Sequence, residues 1–174
     1  MNKPLTAVDI DNKKIIYDGC MITKTGKVID LFNPDPALIL IEDIAHGLAN
    51  TCRWNGHTQQ FWSVSQHSCM GYDMLTGISK MQFLLHDAEE AYWGDIIKPI
   101  KNIIEQKCPE IKTAMDNFSC IIFKKFGIPF PDILIKDLDF ELLQWEFENI
   151  IKSNYNVFWS PPMAKKQFLK RFYS

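Results

Sequence analysis

The chain has 174 residues, 47% hydrophobic and 13% aromatic, enough for one ordinary domain with a substantial core. Nineteen basic against 21 acidic residues leave a net charge of -2, which excludes the large positive field that holds a nucleic-acid polymer by its phosphates. No apolar run approaches the ~20 residues of a membrane span, and the polar start MNKPLTAVDIDNKK lacks a signal-peptide core. The expectation is a single domain over 1–174, cytoplasmic, with no membrane or nucleic-acid partner. Cys20, Cys52, Cys69, Cys108 and Cys120 are odd in number, widely spaced and without a C-x-x-C pair, so they read as reduced, mostly buried thiols.

Along the chain, β-branched residues in KKIIYDG and CMITKTGKVIDLF flank Lys24, Thr25 and Gly26 and predict a hairpin over about 14–32. After the proline-punctuated NPDPALILIED, Asp43 is placed to cap a helix through about Asn50. The loop TCRWNGHTQQFW comes next. Ser63 opens a helix to about Leu75 with Gln66 as capping-box partner, placing His67 in its second turn. A further helix runs from near Ser79 to about Trp93 and Gly94, and Pro99 breaks the segment after it. Ile111, Met115, Phe118, Ile121, Ile122 and Phe126 repeat every three to four residues and predict a long amphipathic helix that Gly127 stops. Another helix spans about Asp132 to Lys152, with Ile135, Leu138, Leu142, Leu143 and Trp145 or Glu146 inward, and a short one near Met163 to Phe172 closes an all-α bundle with a small β hairpin.

Four polar residues interrupt this apolar patterning. His67 lies within one helix, His86 and Asp87 come directly after MQFLL, and Asp139 is three positions from Leu142. Each is costly to bury alone, and a divalent cation offsets that cost, since neutral imidazole and carboxylate together suit Mn²⁺, Co²⁺, Fe²⁺, Ni²⁺ or Zn²⁺. Taken singly, His67 reads as a hydrogen-bonded or exposed helix residue and Asp139 as part of a solvated face. His86 and Asp87, as neighbours on a helix, point about 100° apart, so spacing alone leaves the metal and non-metal readings both open.

The lines CRWNGHTQQFWSVSQHS, LLHDAEEAYWGDIIKPIK and IKDLDFELLQWE resemble the HD-domain metal-dependent phosphohydrolases. The likeness is to the small group containing 5'-deoxynucleotidases and phage deoxynucleoside triphosphate triphosphohydrolases, and it covers about Leu31 to Glu146. It implies an HD-domain helical bundle with metal ligands at His67, His86, Asp87 and Asp139, and catalytic acids at Glu90 and Asp95. It also implies substrate contacts from Arg53, Trp54 and Lys101. Glu89 has no counterpart in the motif and reads as a solvated helix residue. His57 is shared with the family but is not a ligand there, and His46 reads as structural. The implied cofactor is a divalent ion, Co²⁺, Zn²⁺ or Mn²⁺, with a second Mg²⁺ as an option.

The resemblance implies hydrolysis of a deoxynucleotide. The compact length and the overall line resemble the phage enzymes that destroy dATP, which implies a triphosphohydrolase that releases deoxynucleoside and triphosphate, with a 5'-deoxynucleotidase acting on monophosphates as the alternative. A binding module whose HD site has lost activity is the reading from another class, and intact Glu90 and Asp95 argue against it. Similar proteins form dimers or hexamers, so a homo-oligomer is expected.

Overall fold

The computed structural model describes residues 19–153 and 155–174. Part of the sequence assigned to the hairpin, 14–18, lies outside these residues. Within them the chain is mostly helical, with one two-stranded antiparallel sheet of β1 (Cys20–Ile22) and β2 (Val28–Asp30), paired Cys20 to Asp30 and Ile22 to Val28. The turn lies where Lys24, Thr25 and Gly26 place it, with Gly26 at φ 81°. Only a residue without Cβ takes that left-handed conformation at no steric cost.

The helices are α1 (Ile41–Asn50), α2 (Val64–Met74), α3 (Ser79–Leu85), α4 (Glu90–Trp93), α5 (Lys98–Lys107), α6 (Pro109–Phe126), α7 (Ile133–Glu146) and α8 (Pro161–Phe172). Ser63 does cap α2, its side chain accepting from the Gln66 amide at 3.1 Å. The Gln66 side chain turns away instead, donating to the Val157 carbonyl at 2.8 Å and accepting from the Trp159 amide at 2.9 Å. Asp43 is not a cap. It lies inside α1 and accepts from the Thr25 amide at 2.9 Å and the Thr25 hydroxyl at 2.6 Å, which ties the hairpin turn to the helix.

Three further expectations are corrected by the fold. The helix expected from Ser79 to Trp93 is divided, because 86–89 form tight turns whose amides bond three residues back, as from Ala88 to Leu85 and from Glu90 to Asp87. Pro99 starts α5 rather than breaking the chain, since its missing N–H falls among donors that have no intrahelical partner anyway. Leu143 is 38% exposed, whereas Ile135, Leu138, Leu142 and Glu146 form the buried stripe of α7. The cysteines also differ from expectation, with Cys69 buried and Cys120 exposed.

The main core joins Ile29, Ile39, Ile44, Leu48, Val64, Leu84, Leu85, Phe118, Ile122 and Phe168. A second, smaller cluster of Phe83, Ile135, Leu138 and Leu142 packs α3 against α7 and forms the apolar floor beneath the polar residues. Gly47 sets how closely α1 meets α4, since a Cβ there would lie 2.9 Å from the Ala91 backbone carbonyl. Gly47→Ala is expected to be a net loss. Overpacking costs about 1–3 kcal/mol, against roughly 1 kcal/mol gained in helix propensity, and calorimetry should read a melting temperature lower by a few degrees.

Candidate metal centre

His67 projects from α2, His86 and Asp87 from the tight turn after α3, and Asp139 from α7, so three separate parts of the chain meet. The Nε2 atoms of His67 and His86 are 3.4 Å apart. Asp139 Oδ1 lies 3.1 Å from His67 Nε2 and 3.6 Å from His86 Nε2. Asp87 Oδ2 lies 3.1 Å from His86 Nε2 and 3.9 Å from His67 Nε2. His67 and His86 are nearly inaccessible, while Asp139 keeps 40% of its side chain exposed and marks the open side.

The remaining ring nitrogens decide what these atoms are. His86 Nδ1 bonds the Phe83 carbonyl at 2.6 Å. A carbonyl can only accept, so Nδ1 carries the proton and the neutral ring presents Nε2 as a bare lone pair. His67 Nδ1 bonds Glu146 Oε1 at 2.8 Å, and that carboxyl is ionised. Burial would push it up, but the charges of His67 and Arg53 and the hydrogen bonds from His67 and Trp62 hold it at about 2. His67 Nε2 therefore also presents a lone pair when the ring is neutral. Two nitrogens and two carboxylate oxygens converge with no hydrogen-bond donor among them, a set that needs protons or a cation between its members. Around a divalent ion with bonds of ~2.1 Å, neighbouring ligands stand roughly 3.0–3.4 Å apart, close to the spacings observed. His67, His86 and Asp87 form a group that can hold a metal ion, and Asp139 lies against it.

Without a cation, protons fill this role. Burial would lower His86, but Asp87 and Asp139 outweigh it and hold His86 well above the usual histidine range. Burial likewise would raise Asp87, and His86 beside it brings the carboxyl down to about 2. A charged His86 thus stabilises the metal-free fold fully below the unfolded histidine value of about 6.5, and this contribution is lost as pH rises through its raised folded value. Metal binding must expel that proton. We expect divalent-ion affinity to rise about tenfold per pH unit around neutrality, with roughly one proton released per ion, measurable by calorimetry in buffers of different ionisation enthalpy.

Glu90 is 2% exposed. Its Oε1 accepts from Lys101 Nζ at 2.9 Å, and its Oε2 is buried with no hydrogen-bond partner among the described residues. Burial first, and the Asp87 charge second, push its carboxyl well above the ordinary range. Asp95 is raised mainly by burial, with Arg53 opposing. Glu89 is not the solvated residue expected, since its Oε2 is buried without a hydrogen-bond partner among the described residues, and burial with Asp87 brings it to about 7.

Arg53 is 7% exposed, donating from Nε to Glu146 Oε2 at 2.9 Å and holding Nη1 at 3.6 Å from Asp87 Oδ2. Trp54 donates from Nε1 to the same Glu146 oxygen at 3.0 Å and stacks on Phe147. Arg53 and Trp54 are thus anchored inward, and Lys101 is paired with Glu90. His57 is exposed and His46 half-buried. A cleft of about 570 Å³ opens beside the centre, lined by His86, Glu89, Lys112, Lys136 and Asp139 among others. Nothing in the sequence pattern points to Lys112 or Lys136 here, because long charged side chains on amphipathic helices normally mark a solvated face.

No family profile matches the chain. The chain is 38% identical over 114 residues to an uncharacterized protein of Rhodobacter capsulatus, covering 60% of this chain and 57% of that protein. It is 36% identical over 100 residues to YfdR, an uncharacterized protein of Escherichia coli K12, covering 58% of this chain and 53% of that one. The chain spans little more than half the length of these curated relatives, and neither name carries an activity. Among the described residues no helix is long and apolar enough to cross a membrane.

Proposed function

We propose that the protein is a cytoplasmic, divalent-metal-dependent phosphohydrolase of the HD-domain type acting on deoxynucleotides. The observation that supports this is the convergence of His67 Nε2, His86 Nε2, Asp87 Oδ2 and Asp139 Oδ1, a set that lacks a donor when both rings are neutral. The four residues would hold Co²⁺, Zn²⁺ or Mn²⁺, and a cation there supplies acidification of water and polarisation of a phosphoryl oxygen. The cleft at its open side falls within the roughly 300–1,000 Å³ of small-molecule sites.

In this reading the orphan Oε2 of Glu90 accepts a proton from the attacking water, with Lys101 fixing the carboxylate through Oε1. Burial makes Glu90 the stronger base. Asp95, raised by burial, supplies the proton to the leaving oxygen. Lys101 and the terminal nitrogens of Arg53 offer donors for phosphate, and Trp54 an apolar face for sugar or base. With dATP, water adds to the α phosphorus, the bond to the 5' oxygen breaks, and deoxyadenosine and triphosphate leave. The resemblance to phage enzymes supports this over a monophosphatase. Self-association into a dimer or hexamer belongs to the same proposal, and the exposed Ile133, Leu134, Phe140 and Leu143 of α7 support it.

Co²⁺-loaded protein incubated with dATP, dGTP and dAMP, with products separated by ion exchange, tests the reading. Deoxyadenosine and triphosphate from dATP are expected. Phosphate from dAMP with dATP untouched would replace the triphosphohydrolase by a 5'-deoxynucleotidase. No product from any nucleotide, with metal demonstrably bound, would leave only the binding module.

A further inference from the structure

Glu146 is expected from the sequence only as one of two alternatives for the inner side of α7, yet it is 1% exposed and carries more charged and polar partners than any packing role requires. Four donors meet its two oxygens: His67 Nδ1 at 2.8 Å and Trp62 Nε1 at 3.0 Å on Oε1, Arg53 Nε at 2.9 Å and Trp54 Nε1 at 3.0 Å on Oε2. A buried carboxylate is costly unless its lone pairs are satisfied, and here charge-assisted bonds satisfy both oxygens. The partners are the innermost metal-site histidine and the ends of the loop 52–63, which backbone pairing of Cys52 with Ser63 also draws together. Arg53 then carries the arrangement on to Asp87, 3.6 Å from its Nη1.

We propose that Glu146 is the positioning residue of the centre, locking His67 in the tautomer that leaves Nε2 bare and setting Arg53 behind Asp87. It acts through these two side chains and touches neither the ion nor a substrate. The alternative tautomer, with the proton on Nε2, would aim a donor into the space the ion needs and face Glu146 with a lone pair. One carboxylate therefore orients a ligand on α2, and through Arg53 the acid of the α3–α4 turn. The inference rests on the metal reading of the site but not on any hydrolytic activity.

The test uses Zn²⁺ alone and the full chain. In the wild type, long-range ¹⁵N–¹H correlation spectra of the Zn²⁺-loaded protein should show His67 protonated at Nδ1 and ligated at Nε2. Ligation through Nδ1 would overturn the proposal without any variant. Glu146→Gln keeps the shape but replaces an all-acceptor group with one that also donates. It should weaken Zn²⁺ by about 10–100-fold, while His86→Gln, which deletes a ligand directly, weakens it further. Folded Glu146→Gln protein that binds Zn²⁺ within twofold of wild type, with the same His67 tautomer, would also overturn it. Wild type that binds no Zn²⁺ would instead remove the metal reading itself, so the two failures are told apart.

Discussion

Asp139→Ala is expected to abolish metal-dependent turnover and to remove the stabilisation that a divalent ion confers. Asp139 is the least buried member of the cluster and the one supplied by α7, so its loss opens the centre on one side without excavating the core. In the wild type, an ion at 100 times its dissociation constant adds about 2.7 kcal/mol, worth a melting-temperature rise of about 5–10 °C in a chain of this size. The variant should show almost none of that rise at the same Co²⁺ concentration. Its metal-free fold also loses a counter-charge. Burial would raise the Asp139 carboxyl, but the two imidazoles beside it, His67 and His86, hold it far below the usual range. That contribution is present above the unfolded carboxylate value of about 3.9 and lost as pH falls below it, so at neutral pH the variant forfeits it. A Co²⁺-dependent rise equal to that of the wild type would remove Asp139 from the ligand set.

Glu90→Gln separates binding from chemistry. The amide retains a carbonyl oxygen for the Lys101 bond seen at 2.9 Å, so the local packing survives, but the carboxylate proposed to take the water's proton is gone. Turnover should fall by about 10²–10⁴-fold, the usual contribution of a positioned general base. The dissociation constant for Co²⁺ should stay within a few-fold of wild type, since Glu90 is not among the converging atoms. Near-normal turnover would show that the proton is taken elsewhere, and a collapse of metal affinity would show that Glu90 belongs to the centre itself.

The helical architecture is legible in the sequence because its signals are local: Ser63 before α2, the three-to-four repeat of α6, and Gly127, which takes φ 67° at the end of that helix. The break between α3 and α4 is not, because 86–89 contain no glycine or proline. Its turns come from His86 folding back to the Phe83 carbonyl and from Ala88 and Tyr92 packing into the core. Pro99 misleads because a proline ends one helix and begins the next with the same restriction on φ.

At the site, His67, His86, Asp87 and Asp139 are visible as polar residues in apolar surroundings, and the fold brings all four together. Glu146 is legible only as an alternative to Trp145 on the inner side of its helix, with no role in the site, because a glutamate late in a helix is ordinarily solvated. The available signal is its register with Ile135, Leu138 and Leu142, which continues the buried stripe. The partners that make it tolerable, Arg53, Trp54, Trp62 and His67, come from a loop and a helix far away in sequence. Such convergence is a property of tertiary packing, and no local pattern encodes it.

Whether these four side chains hold one divalent ion, as proposed, is tested most directly by anomalous diffraction from crystals soaked in Mn²⁺. The expected result is an anomalous peak about 2.0–2.2 Å from His67 Nε2, His86 Nε2, Asp87 Oδ2 and Asp139 Oδ1. Crystals at saturating Mn²⁺ with no peak among these atoms, or with the ion bound elsewhere, would contradict it.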